Sequence, residues 1–256
     1  MHHRPDCTDS NENMPESAPW QLDAFPGALI VSPHSDDAAF SMGVLLCFLC
    51  RHLPRVEIVN CFSVSAYAGQ AVPPDAVAVT QLRKAEDKCL AELLGPARPI
   101  HHYLDLADAP LRPGRGFHNL HNGRILSGER ACADQIHKAV CALLAPDALL
   151  LYPLAVGRHI DHMLARTACD SLARGHAAWA CYEDQPYRAL SANDNLWPLN
   201  RGKVSFLFSQ PEGKEDLLDC YPSQLLPVHR AAMLRYARDL GGPAGHGERF
   251  WTRARP

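Results

Sequence analysis

The chain reads as an α/β domain, a Rossmann-like open, mostly parallel sheet with helices on both faces. Three observations predict this class. Short apolar runs alternate with longer segments of helical periodicity. The runs are apolar throughout rather than at every second residue, as expected of strands covered on both faces. With 256 residues, 47% hydrophobic and 21% charged, the chain is long enough to bury a substantial core.

The N-terminus, MHHRPDCTDSNENMPESAPW, is rich in Pro, Ser, Asn and acids and has no apolar stretch of the secretory kind. Residues 1–22 are expected to be a disordered leader and 23–256 a single folded domain. The pair His2-His3 is too short for a metal tract. Strands are predicted at 28–32 (ALIVS), 56–63, 101–105, 147–152, 179–183 and 204–208. Helices are predicted at 38–50, 77–94, 129–145, 161–174, 213–221 and 229–240. This alternation implies right-handed βαβ crossovers.

The first helix, AAFSMGVLLCFLC, is apolar nearly all round, which marks a central element. In the second, Ala78, Leu82, Ala85, Cys89 and Leu93 recur at three- and four-residue spacing and predict a core-facing stripe. Residues 106–129 hold Pro, Gly and Asn with little periodicity, and a loop of that length points to a lid or binding loop. Lys214, Glu215 and Asp216 read as the solvated start of a helix.

A net charge of −3 offers no electrostatic case for nucleic acid or an anionic membrane as the main partner. No run reaches the ~20 apolar residues of a membrane span. The ten cysteines are scattered. Cys47, Cys61, Cys89, Cys141 and Cys169 lie in apolar periodic segments and read as buried thiols in a reducing cytoplasm. Cys47 and Cys50 spell CxxC without the second pair of a four-thiolate zinc site. No GxGxxG follows a predicted strand, which argues against dinucleotide binding.

Two polar clusters interrupt this apolar pattern. PHSDDAAFSMG places His34, Asp36 and Asp37 at the carboxyl end of the first strand. GRHIDH places His159, Asp161 and His162 after the 147–152 strand. Open α/β sheets bind ligands beyond the carboxyl ends of their strands, so both clusters point at one rim. Imidazole and carboxylate are zinc donors, and a catalytic zinc keeps three protein ligands and one open position. Taken singly, each cluster also reads as a helix cap, with Asp36 or Asp161 at the N-terminus. Capping does not account for two His/Asp clusters on the same rim.

These residues resemble the paired signatures of the PIG-L/LmbE-like zinc-dependent N-deacetylases, approximately [A/P]-H-P-D-D-[E/A] and H-x-D-H. LRKAEDKCLAELLG (82–95), CYEDQPY (181–187), YPSQ (221–224) and ERFW (248–251) add weaker matches, so the likeness spans residues 26–251. Ser35, Ala38, Val44 and Ile160 depart from the usual Pro, Glu, Gly and Pro.

The resemblance implies one zinc, or another divalent ion, per chain, held by His34, Asp37 and His162. It implies Asp36 as the general base on the zinc-bound water, and His159 as the group that polarises or protonates the substrate amide. Asp161 would hold the His159 ring as an imidazolium. Its substrate would be a small N-acylated, most simply N-acetylated, amino sugar or glycoconjugate; assembly into a homo-oligomer stays open.

Arg83 and Glu86, at i and i+3, form either a surface ion pair or the site of a substrate-binding arginine. Asp105 ends the third strand at the same rim, for hydroxyl binding or simple solvation. His118 and His121 read as polar lid residues. The alternatives are a non-catalytic metal- or carbohydrate-binding homologue, which could lack the base, and a nucleotide-dependent transferase, which should carry a Gly-rich phosphate loop.

Overall fold

The computed structural model describes residues 18–69, 75–191, 199–211 and 214–253. Its sheet begins with β1 (Ala28–Ser32), β2 (Val56–Asn60), β3 (Ile100–Tyr103), β4 (Leu149–Pro153) and β5 (Trp179–Tyr182). It ends with β6 (Lys203–Gln210) and β7 (His246–Arg253). The order across the sheet is β3-β2-β1-β4-β5-β7-β6. Strands β1 to β5 pair in parallel, whereas β7 runs antiparallel to both neighbours. The expected mostly parallel sheet is therefore present, with a final strand that the apolar pattern missed. In HGERFWTR, polar residues break the continuous run expected of a two-face-buried strand.

Among the described residues seven helices connect or cover these strands. They are α1 (Asp37–His52), α2 (Ala76–Leu94), α3 (Arg130–Leu143), α4 (Ile160–Ala173), α5 (Tyr187–Leu190), α6 (Glu215–Asp219) and α7 (Pro227–Gly241). Successive strand residues feed opposite cores, because side chains alternate across a pleat. Ala28, Ile30, Leu149 and Leu151 pack in the cluster holding α1, α6 and α7. Leu29, Val31, Leu150 and Tyr152 pack in the one holding α3 and α4. Central strands buried on both faces thus explain the unbroken apolar runs.

Residues 1–17 of the expected leader lie outside the described residues. Ala18, Trp20 and Leu22 pack on the core, and the Trp20 ring meets Phe206 edge-on at 5.9 Å. The 106–129 segment is ordered by side chains: Arg112 and Arg115 both donate to the buried Glu129. Two of the five thiols read as buried, Cys89 and Cys141, are exposed; Cys61 and Cys169 are buried.

The largest corrections concern polar residues. On α2 the buried face is Val79, Arg83, Glu86, Asp87 and Leu90, not the Ala78–Leu82–Ala85–Cys89–Leu93 stripe. Lys214 is no solvated helix start, at 2% exposure. Its ammonium donates to Phe40 O and to Glu248, each at 2.8 Å. Glu248, from β7, accepts the amides of Val44 and Leu45 at 3.0 Å. These amides follow Met42, whose φ of −140° and ψ of 30° break the regular helix. The Lys214–Glu248 pair therefore satisfies backbone groups released by an interruption just behind the first polar cluster.

Lys214→Met is expected to leave Glu248 buried without its cation and to cost about 3–5 kcal/mol, measured by denaturant unfolding. A loss below about 1 kcal/mol would show that the pair does not brace α1.

Candidate active site

The strand order reverses between β1 and β4, the switch point where open α/β sheets bind ligands. His34, Asp36 and Asp37 leave β1 there, and His159 to His162 leave β4. The helix-capping alternative fails for Asp36, which occupies the N-cap of α1 with no side-chain capping bond. Instead the Ser32 hydroxyl accepts the Ala38 amide at 3.1 Å. At α4 the N-cap is His159, whose Nδ1 accepts the Asp161 amide at 3.3 Å.

His34, Asp37 and His162 bring one donor atom each within 4.8 Å of one another. Asp37 Oδ2 lies 3.1 Å from His34 Nδ1 and 3.3 Å from His162 Nε2. Each imidazole is backed by a carboxylate on its other nitrogen. Asp161 Oδ2 stands 3.1 Å from His34 Nε2, and Asp184 Oδ1 stands 2.6 Å from His162 Nδ1. Such a backing carboxylate orients a metal-binding histidine and makes it a better donor. His162 Nε2 is buried without a hydrogen-bond partner, so its lone pair is available to an ion.

A second grouping, His34, His159 and Asp161, also converges. It is less suited to an ion. His159 Nδ1 is taken by a backbone amide, and Asp161 accepts from Ala109 N at 2.9 Å and pairs with Arg112 at 2.6 Å. Two imidazoles and a carboxylate with an orphaned buried nitrogen fit a divalent ion at His34, Asp37 and His162.

The electrostatics favour positive charge at this point. Burial lowers the His34 pKa, but the hydrogen bonds and charges of Asp161 and Asp37 outweigh it and raise it to about 10. Burial pushes Asp37 up, yet His162 and His34 hold it below the usual carboxylate range. His159 differs: burial, with the nearby charges of His34 and His162, drives it well below its ordinary value. Burial thus favours a neutral His159 ring over the expected imidazolium. Asp161, expected to hold that ring, faces His34 and Arg112 with its carboxylate instead.

Around these groups lies a cavity of about 300 Å³ lined by Asp36, Asp108, His121, His159, Tyr187 and Gln224, among others. Arg83 is buried rather than part of a surface pair. It donates to Asp36 at 2.7 Å and to the Ser65 hydroxyl at 3.1 Å. Glu86 accepts instead from the amide and hydroxyl of Ser223, both at 2.8 Å. Asp105 does not reach the cavity; its side chain is 59% exposed and accepts from Lys84 and Ser63. Asp108 takes that place, held by the Ser65 hydroxyl, and one of its oxygens is buried without a partner. His121, expected as a lid residue, packs against His159 at 5.0 Å between ring centres.

Sequence reasoning missed Asp184 and Asp108. The first sits in CYEDQPY, a stretch noticed only as a weak match, and the second three residues beyond the acid that was singled out.

Among the described residues no helix is long and apolar enough to cross a membrane. Comparison with known proteins agrees with the geometry. The 2′-N-acetylparomamine deacetylase of Streptomyces fradiae is 28% identical, over 88% of this chain and 89% of its own. The zinc-inhibited form of a teicoplanin deacetylase superposes with a TM-score of 0.69 at 21% identity, covering 88% of this chain and 97% of that one. The N,N′-diacetylchitobiose deacetylase from Pyrococcus horikoshii gives a TM-score of 0.62 at 14% identity, covering 90% and 84%. At such identities the two structures establish the fold. Residues 29–173 match the family whose description is GlcNAc-PI de-N-acetylase, and with more than half of its length inside that match the chain belongs to the PIG-L family of de-N-acetylases.

Proposed function

We propose that this enzyme is a zinc-dependent N-deacetylase that hydrolyses the N-acetyl group of an amino sugar or small glycoconjugate. The observation that carries the reading is the pairing of carboxylate-backed His34 and His162 with Asp37, directly beside Asp36 in the cavity. The names of the relatives support the substrate class, since they are deacetylases named for 2′-N-acetylparomamine, teicoplanin and N,N′-diacetylchitobiose.

His34, Asp37 and His162 would hold the ion, which when bound supplies Lewis acidity to a water and to the amide carbonyl. Asp36 lines the cavity without entering the donor set and is kept in place by Arg83. It serves as the general base that takes a proton from the attacking water. His159 accepts at Nδ1 from the Asp161 amide, which leaves Nε2 to carry the proton of the neutral ring. It donates that hydrogen bond to the carbonyl oxygen as negative charge develops there. The amide C–N bond breaks, the amine leaves with the proton that Asp36 took from the water, and acetate remains. Asp108, with its unpartnered oxygen, and Gln224 supply polar contacts for sugar hydroxyls at the cavity wall.

The direct test is release of acetate from a panel of N-acetylated amino sugars by protein of measured metal content. Metal uptake with no acetate released from any of them would favour the non-catalytic homologue instead. Asp36→Asn is expected to keep the metal and to lose about 10²–10⁴-fold in turnover. Near wild-type rates would remove Asp36 from the mechanism. His162→Ala should lose the metal, whereas His159→Ala should retain it and lower kcat more than it changes KM; the reverse pattern would exchange the two roles. Asp184→Asn is expected to weaken metal binding about 10- to 100-fold in a chelator competition, and an unchanged affinity would show that it does not tune His162.

A further inference from the structure

Outside the active site, two thiols from distant parts of the chain meet. Cys89 on α2 and Cys220 at the end of α6 place their sulfurs 2.9 Å apart, although 131 positions separate them. Cys89 is exposed and Cys220 is 4% exposed. The contact belongs to a continuous seam. Asp87 accepts from the Tyr221 hydroxyl at 3.0 Å, and Glu86 accepts from Ser223. One turn earlier on the same helix, Arg83 reaches Asp36. At the other side of the seam, Gln224 lines the cavity and donates to Tyr67 O at 3.1 Å.

We infer that Cys89 and Cys220 are an oxidation site: a disulfide between them staples α2 to the 220–224 segment and so braces one wall of the cavity. The sulfurs are already in contact and a disulfide bond is about 2.05 Å long, so closing it needs little movement of either element. A small disulfide such as oxidised glutathione is a sufficient oxidant. The exposed Cys89, as thiolate, attacks one sulfur of that disulfide and expels one glutathione thiolate. Cys220 then loses its proton and attacks Cys89 Sγ, expelling the second glutathione. The protein pair gives up two electrons, and the two released protons go to the two glutathione thiolates. Burial and the Cys89 contact push the Cys220 thiol up to about 12, which makes Cys89 the thiol that opens the sequence.

The staple is independent of the reaction proposed for the active site. It joins points far apart in sequence, so it restricts the unfolded chain strongly, and it does so where native geometry already supports it. The reduced pair leaves the seam to its hydrogen bonds and to the apolar packing of Leu90 with Leu217, Leu218 and Tyr221.

The experiment treats the full chain with oxidised glutathione, digests it without reduction and maps the linked peptides by mass. The expected result is a single linkage between the peptides of Cys89 and Cys220, a melting temperature raised by several degrees and reversal of both by dithiothreitol. Cys89→Ser and Cys220→Ser should each lose the linkage and the rise, and Cys89 is exposed, so its variant keeps the fold. Amides of residues 220–226 should exchange more slowly in the oxidised protein. Recovery of Cys89 only as a glutathione adduct, or Cys220 linked to another cysteine, would overturn the pairing. A formed bond with unchanged exchange over 220–226 would overturn the bracing role.

Discussion

Carboxylates withdrawn from water must be met by cations or N–H groups, because an unpaired buried charge costs several kcal/mol. At the rim of this sheet that requirement adds a second set of ties between elements that already share one apolar core. Asp161 rises from the start of α4 and is met by His34 from β1, and by Arg112 and the Ala109 amide from the long 106–129 loop. Asp184 follows β5 and is met by His162 of α4 and by the Val156 amide beyond β4. Neither acid lies in the cavity lining, yet each sets where one ring of the converging His34–Asp37–His162 group stands. The long loop is thereby docked on the site by charge as well as by Ala109 and Leu120, which are buried in the core.

The same requirement separates what was legible in the sequence from what was not. The strands were legible because burial on both faces makes them apolar throughout, and β1 and β4 appear nearly where the runs place them. His34, Asp37 and His162 were legible because they interrupt those runs at the strand ends. The buried face of α2 was not. An apolar stripe is a guide to burial only when what is buried is apolar, and α2 buries Arg83, Glu86 and Asp87. Their partners, Asp36, Ser223 and Tyr221, lie 47, 137 and 134 positions away, beyond the reach of any local pattern. Lys214 looked like a surface residue for the same reason, its counter-charge being 34 positions further on in a strand that was itself not recognised.

His159 and His162 show a subtler limit. Three residues apart at the start of one helix, they are chemically equivalent on paper. What separates them is the partner at Nδ1. At His162 it is a carboxylate, whereas at His159 it is a backbone amide that donates to the ring and so favours the neutral form with its proton on Nε2. That partner is a property of the fold, and for His162 it comes from Asp184, a residue outside both recognisable motifs.

The place of β7 has a consequence for how the molecule comes into being. Among the described strands the last to leave the ribosome is an interior one, lying between β5 and β6. Until it arrives, β6 has no neighbour in the sheet and β5 is an open edge. The Val44 and Leu45 amides also lack Glu248, the acceptor that closes the gap in α1. A nascent chain long enough to contain His34, Asp37 and His162 is therefore still short of the strand that steadies the helix bearing Asp37. Domains generally fold as units during synthesis, and here the described sheet is filled in by the latest of its strands, so a translation product arrested before β7 displays both His/Asp motifs on an unfinished sheet with an exposed edge.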